Sequence, residues 1–198
     1  MFQTLIHFNP SSPHAQRLLD QPYRIHYMLE HINTSRQRIL WRLSEDRLLV
    51  RHTDLLDWTE LDKTHPNFGD RSHTKLNLAF PTKSVHLFNL FAFICKPDEN
   101  GKWKTQQAEQ YIDWIYKRSP HIGIELLETQ IAKAPEYFVR MKNAQFKAQP
   151  MRIAGILQVT NTTALLNIQQ TGVGKMRAYG CGMLLLQPME PIELSFDT

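Results

Sequence analysis

The chain has 198 residues, enough for one large domain or for two domains of about 100 residues that each bury a core. Its 23 basic and 19 acidic residues give a formal charge of +4, a modest excess that favours a polyanionic partner without being strongly nucleic-acid-like. Cys95 and Cys181 lie too far apart in sequence for a disulfide framework or a zinc ribbon. No apolar run is long enough for a membrane span or a signal peptide, so we expect a cytoplasmic protein with no membrane partner.

The first half of the chain predicts a strand, a helix and a hairpin. Residues 2–8 are a β-rich run that ends at an Asn-Pro turn signal. The segment from Pro22 predicts an amphipathic helix, because its apolar residues recur at helical spacing: Ile25, Met28, Leu29 and Ile32. The runs Arg38–Leu43 and Arg47–His52 predict the hairpin. Residues 54–80 show no clear period and are expected to be a long loop with at most one short helix.

The second half predicts a fuller alternation of strands and helices. The predicted strands cover residues 85–94, 122–127, 136–147, 151–159 and 183–186. The third and fourth of these are expected to pair with each other near Pro150. One helix is indicated by the apolar stripe Ala108, Tyr111, Ile112 and Ile115, and Asn161 is expected to cap a second helix.

Apart from one additional strand, the second half has the order β-α-β-β-α-β of a ferredoxin-like unit, and the first half begins in the same way. We therefore predict an α+β fold of two tandem ferredoxin-like domains, with a boundary near residue 82. The N-terminal domain would cover residues 1–82 and the C-terminal domain residues 83–198.

A glycine-rich loop lies between the last predicted helix and the last predicted strand. It holds half of the chain's eight glycines, namely Gly172, Gly174, Gly180 and Gly182. The order helix, glycines, strand is the reverse of the P-loop and of the dinucleotide fingerprint, which excludes both assignments. Lys175 and Arg177 place two cations in the loop, so an anionic backbone is the expected partner. The alternative is that Gly172 only caps the helix and the other glycines make a turn.

On the first predicted helix, Tyr23, His26 and Glu30 share one side, away from the apolar stripe. Histidine gives or takes a proton near neutral pH, and a tyrosine hydroxyl can orient a phosphate or the imidazole. The alternative is that His26 is an ordinary surface residue. A metal site is not expected, because His26 and His31 are five residues apart and no HExxH motif occurs. A serine nucleophile is equally unsupported, since no GxSxG motif is present.

A basic segment in the second half reads as a β-hairpin that could enter a groove of a nucleic acid. Its cations are Arg140, Lys142, Lys147 and Arg152. They would make salt-sensitive phosphate contacts, and an arginine could also contact a guanine edge. The alternative is a solvated surface with no ligand.

Four segments together resemble the CasE family, the CRISPR repeat endoribonucleases of the type I-E Cascade complex. They are Pro22-Tyr23-Arg24-Ile25-His26, the Trp114 helix followed by Gly123, the strand Ile153–Thr160 and the loop Gly172–Leu184. The resemblance runs in the same order over essentially the whole chain, and the glycine-rich loop is its most specific part.

The resemblance implies two ferredoxin-like, RRM-related domains and an enzyme that cuts each repeat of a CRISPR precursor RNA at the 3′ base of its stem-loop. It further implies that cleavage needs neither metal nor cofactor. The mature guide RNA would stay bound, and the protein would join other Cascade subunits. We expect the isolated protein to be a monomer.

The resemblance also implies roles for single residues. His26 would be the general acid/base and Tyr23 its neighbour at the scissile phosphate, where attack by the ribose 2′-OH leaves a 2′,3′-cyclic phosphate. Arg36 and Arg38 are candidates to stabilise the developing charge. The basic hairpin would hold the stem-loop, while Lys175 and Arg177 would contact backbone phosphates.

The chain departs from the family pattern at two places. Gln21 separates Asp20 from Pro22, and residues 91–97 are apolar where relatives often carry arginines. Two alternatives stay open: a non-catalytic RNA-binding protein of the same fold, and a ferredoxin-like enzyme that binds a small anion at the glycine-rich loop.

Overall fold

The computed structural model describes residues 1–97, 99, 103–105, 107–141 and 144–189, which form two four-stranded antiparallel sheets with helices packed on them. The first sheet consists of β1 (Phe2–Phe8), β2 (Leu40–Ser44), β3 (Arg47–His52) and β4 (Gly69–Lys75). The helices between them are α1 (Pro13–Asp20), α2 (Pro22–His31) and α3 (Trp58–Thr64). The strand order in this sheet is β2-β3-β1-β4.

The second sheet has the strand order β12-β5-β11-β8. Its strands are β5 (Val85–Ala92), β8 (Ile124–Lys133), β11 (Met151–Val159) and β12 (Leu184–Pro188). Its helices are α4 (Ala108–Ile122), α5 (Thr162–Thr171) and a 3₁₀ helix (Arg177–Tyr179) within the glycine-rich loop. Two short hairpins pair outside this sheet, one of β6 (Cys95–Pro97) with β7 (Trp103–Thr105) and one of β9 (Tyr137–Met141) with β10 (Ala144–Ala148).

In both sheets the first and third strands of the unit lie at the centre, and the second and fourth lie at the edges. This is the arrangement of a ferredoxin-like unit. The predicted α+β class with two tandem ferredoxin-like units is therefore confirmed. The first sheet ends at Lys75 and the second begins at Val85, and the boundary near residue 82 stays a prediction.

The prediction for residues 54–80 was wrong in one respect, because it missed β4, whereas α3 is the one short helix that it allowed. Strand β4 pairs only with β1 at the edge of its sheet, and its residues are largely exposed. An exposed edge strand carries no apolar alternation, so its sequence lacks the usual signal. Helix α1 was not predicted either, because it lies in a polar stretch and buries only Ala15 and Leu18.

The predicted pairing of residues 136–147 with 151–159 was also wrong. Strand β11 lies between β5 and β8, so both of its edges are already paired, and the preceding residues close on themselves as the β9–β10 hairpin. The predicted strand over residues 85–94 ends at Ala92. Ile112, assigned to the apolar stripe of α4, is 40% exposed.

The two halves meet through side chains as well as through the connecting chain. Arg51 of β3 donates to the Gln169 side chain of α5, and its Nη1 also donates to the Leu184 carbonyl oxygen over 3.1 Å. Tyr179 belongs to a small buried cluster against which Tyr23 packs. These contacts hold α2 beside the glycine-rich loop. No helix among the described residues is long and apolar enough to span a bilayer.

Acid is expected to destabilise the fold through three histidines. Burial lowers the pKa of His52, His65 and His86 below the ordinary histidine value. The unfolded chain therefore binds protons near pH 6.5 that the folded chain disfavours, so this stabilisation is complete above that pH and is lost as the pH falls. We expect a lower urea midpoint at about pH 5 than at about pH 7.5. The lower of these two pH values, about pH 5, is still above the ordinary pKa values of carboxylates.

The same titration has a matched pair of variants. His52→Gln is expected to reduce the difference between the two midpoints, and His7→Gln, at an exposed position of the same sheet, is the matched control. A urea midpoint of the unchanged protein that does not move between the two pH values would contradict this prediction.

Candidate functional site

A cleft of about 700 Å³ lies between α2 and the glycine-rich loop. It is lined by α2, by residues 36–39 shortly after this helix, and by residues 175–179, which are distant in sequence. Its titratable and aromatic lining residues are His26, Glu30, Arg36, Arg38, Lys175, Arg177 and Tyr179. The structure thus brings the candidate catalytic helix of the first half and the candidate phosphate-binding loop of the second half to one place.

His26 is held at the cleft by the helix that carries it. The opposite side of α2 buries Ile25 and Leu29 completely, which fixes the helix against the first sheet. The His26 side chain is 29% exposed, and its Nδ1 lies 3.9 Å from Oε1 of Glu30. The predicted grouping of these two residues on one side of the helix is confirmed. The imidazole therefore lies at the cleft beside one carboxylate.

Tyr23 is packed between aromatic rings from both halves of the chain. Its ring stacks on Tyr179 with centroids 4.8 Å apart and planes 18° apart, and Tyr27 approaches it edge-on at 4.7 Å. The His26 ring centroid lies 5.7 Å away. A hydrogen bond with Tyr27, followed by burial, raises the pKa of Tyr23 to about 12. The phenol therefore stays protonated at neutral pH and can act as a hydrogen-bond donor, not as a base.

Arg38 and Arg177 meet at the end of α5. The Nη1 atom of each donates to the carbonyl oxygen of Thr171, the last residue of that helix, over 3.3 Å. A helix C-terminus carries partial negative charge and favours such cations. Burial, and then the neighbouring Arg38, lowers the pKa of Arg177. Neither guanidinium forms an ion pair among the described residues, so an anion in the cleft would relieve their mutual repulsion.

Arg36 and Lys175 also line the cleft, and both are exposed. Arg36 has a left-handed backbone with φ of 55°, in the short segment between α2 and β2. Lys175 lies at the turn of the glycine-rich loop, two residues before Arg177. The cleft therefore has four basic side chains and one carboxylate, that of Glu30.

The glycine-rich loop caps helix α5 and also forms a wall of the cleft. A helix cap at Gly172 is therefore compatible with a loop that faces an anionic partner. Gly172 follows α5 with φ of 75°, and its N–H donates to Ile168. Positive φ is shared by the others, Gly174, Gly180 and Gly182. At Gly180 the requirement is also spatial, because an added Cβ would lie 2.7 Å from the Trp41 ring.

Tyr179 and Trp41 were missed by the sequence reasoning. Tyr179 supports Tyr23, and Trp41 is the surface on which the loop rests at Gly180. An aromatic residue inside a glycine run was the available signal for Tyr179. Trp41 carried no such signal, since an apolar residue in a predicted strand is ordinary.

The basic segment is divided between two places. Arg140 lies on β9 and Lys147 on β10, whereas Lys142 lies outside the described residues. Arg152 is not on this hairpin, contrary to the prediction, because it belongs to β11 of the second sheet and pairs in register with Phe91. It lines neighbouring cavities and not the cleft of His26.

Comparisons with known proteins give one family. The model of the family described as CRISPR associated protein matches residues 1–188. CRISPR-associated endoribonuclease Cse3 of Thermus thermophilus is 27% identical over 222 residues, which cover 95% of this chain and 100% of that protein. CRISPR system Cascade subunit CasE of Escherichia coli is 29% identical over 84 residues, which cover 42% of this chain and 41% of that protein.

The fold comparison agrees over nearly the whole length. The structure of Thermus thermophilus Cse3 bound to an RNA representing a pre-cleavage complex superposes with a TM-score of 0.80 at 25% identity. The match covers 94% of this chain and 98% of that chain. The two-unit arrangement described above is therefore shared with an RNA-bound relative.

Proposed function

Because the chain belongs to the CRISPR-associated CasE family, we propose that it is an endoribonuclease that cleaves CRISPR precursor RNA at the 3′ base of the repeat stem-loop. The observation that carries this proposal is the cleft that brings His26 together with the paired guanidinium groups of Arg38 and Arg177, with Tyr23 stacked on the lining residue Tyr179. That set suits transfer of a proton at a phosphodiester and stabilisation of the charge that develops there. The names of the relatives support the same reaction class.

The proposed reaction is attack of a ribose 2′-OH on the adjacent phosphorus. The P–O2′ bond forms while the P–O5′ bond breaks, which gives a 2′,3′-cyclic phosphate and a free 5′-OH. His26 exchanges a proton through its imidazole, taking it from the 2′-OH or giving it to the departing 5′-oxygen. Tyr23 donates a hydrogen bond to a phosphate oxygen, for which its raised pKa suits it. Arg38 and Arg177 face the charge on the pentacoordinate phosphorus, and Arg36 and Lys175 bind neighbouring phosphates.

The proposal extends to partners and to the working state of the protein. The mature guide RNA stays bound, and the protein then functions as a Cascade subunit, as the name of the Escherichia coli relative suggests. Arg140, Lys142 and Lys147 contact the stem-loop. The protein works in the cytoplasm, and the isolated chain is a monomer.

The experiment that tests this function uses a labelled repeat RNA in buffer with EDTA. We expect one cut at the base of the stem-loop, and we expect no cut when the 2′-OH of the scissile nucleotide is replaced by hydrogen, because the nucleophile is then missing. RNA binding without any cut would support the non-catalytic alternative. Loss of cutting on chelation would contradict the metal-free reaction, and binding of small phosphates without affinity for the RNA would support the small-anion enzyme.

A further inference from the structure

A second cavity, of about 490 Å³, lies beside the proposed reaction cleft at the junction of the two halves. Tyr179 lines both spaces, so a strand that leaves the cleft reaches this cavity next. Residues from both sheets line it. The ones that matter to the argument are Trp41, Arg42, Phe91, Arg152 and Tyr179.

Two buried donors of this cavity have no acceptor. Trp41 is 1% exposed and Arg42 is 8% exposed. Among the described residues, Nε1 of Trp41 and Nη1 of Arg42 make no hydrogen bond. Buried donors are nearly always paired in folded proteins, because an unpaired one loses its contacts with water without compensation. Both residues line this cavity, so a ligand in it can supply acceptors to these donors.

The charge of the cavity indicates what kind of acceptor this is. The Arg42 guanidinium lies over the Phe91 ring, 3.7 Å from its centroid, so its face is covered and its edge donors remain for a ligand. Burial, and then Arg152, lowers the pKa of Arg42 to about 10, which leaves it charged at neutral pH. Glu45 and Glu136 also line the cavity, but both are exposed residues, whereas Arg42 is buried. The interior is therefore cationic and aromatic.

We propose that this cavity receives one unpaired nucleotide of the bound RNA, with acceptor oxygen atoms of that nucleotide on Arg42 and Trp41. The inference rests on the proposed function, since it assumes that RNA occupies the neighbouring cleft. Unpaired bases bind proteins by stacking on aromatic rings and by hydrogen bonds to arginine, whereas a paired base cannot enter such a cavity. The volume is also within the range of small-ligand pockets. The nucleotide belongs to the single strand that adjoins the stem.

The test compares two RNAs, the stem-loop alone and the stem-loop with its single-stranded flanks, both with a 2′-deoxy scissile nucleotide. We expect Arg42→Met to weaken binding of the flanked RNA about tenfold or more, because charged hydrogen bonds are lost, and to leave binding of the bare stem-loop unchanged. The matched control is Arg47→Met, which removes an exposed arginine of the same β2–β3 hairpin that lines neither cavity nor cleft. Equal weakening of both RNAs by Arg42→Met, or of neither, would overturn the inference.

A second measurement needs no variant. A fluorescent 2-aminopurine placed in turn at each flanking position is expected to change its fluorescence at one position, where the base leaves its neighbours and enters the cavity. Equal fluorescence at all positions in the complex would overturn the inference as well. Cleavage of the natural flanked RNA is followed in parallel. If cleavage occurs and neither readout responds, only this inference fails; if both readouts respond without cleavage, only the proposed reaction fails.

Discussion

His26→Ala is expected to abolish cleavage of the repeat RNA while the RNA still binds. A positioned general acid/base contributes about 10²–10⁴-fold to a rate, and no other described histidine lines the cleft to replace it. The side chain is partly exposed and belongs to no hydrophobic core, so its truncation does not disturb the packing of α2. The effect should therefore appear in the rate at saturating protein and leave the dissociation constant within about threefold of its original value.

His31→Ala is the matched control for this variant. His31 lies on the same helix, but it faces Glu60 of α3 and does not line the cleft. Single-turnover cleavage of the labelled RNA and filter binding of the 2′-deoxy analogue measure rate and affinity separately. Cleavage by His26→Ala at the original rate would place the general acid/base on another residue. Equal losses with His31→Ala would point to a general defect of the helix.

The parts of this fold that the sequence could predict are those with a buried face. Helix α2 was found from an apolar stripe whose members Ile25, Leu29 and Ile32 are all completely buried. Strand β4 was not found, because it lies at an edge and its side chains are largely exposed. The β9–β10 hairpin was misassigned because pairing is decided by which strand edges are free, and local patterns carry no such information.

The candidate site also has a part that the sequence could predict and a part that it could not. Helical spacing placed Tyr23 and His26 together, since they are three residues apart. The meeting of Arg38 with the Thr171 carbonyl joins residues 133 positions apart, and the stacking of Tyr23 on Tyr179 likewise depends on how the halves pack. Only the tertiary structure brings these groups together at the cleft and beside it.

The contact of Gly180 with Trp41 holds the glycine-rich loop against the first half of the chain, and Gly180→Ala is expected to break it. The φ of 77° costs an alanine about 1–2 kcal/mol, and its Cβ would lie 2.7 Å from the Trp41 ring, which is completely buried. Overpacking of this kind adds about 1–3 kcal/mol. We expect the free energy of unfolding to fall by about 2–5 kcal/mol, measured by urea denaturation at neutral pH.

Gly174→Ala separates the backbone cost from the overpacking cost, because Gly174 has a similar φ of 81° but a less buried neighbouring side chain. Its Cβ would lie 3.1 Å from Trp114, which is only partly buried. This variant should therefore lose about 1–2 kcal/mol, the backbone cost alone. Gly180→Ala should also cleave more slowly at a temperature where it is folded, because Tyr179 is the preceding residue and its displacement removes the ring on which Tyr23 stacks. Equal destabilisation of the two variants would show that the Trp41 side chain moves to accommodate the added Cβ, and that the loop is not fixed by its contact with Trp41.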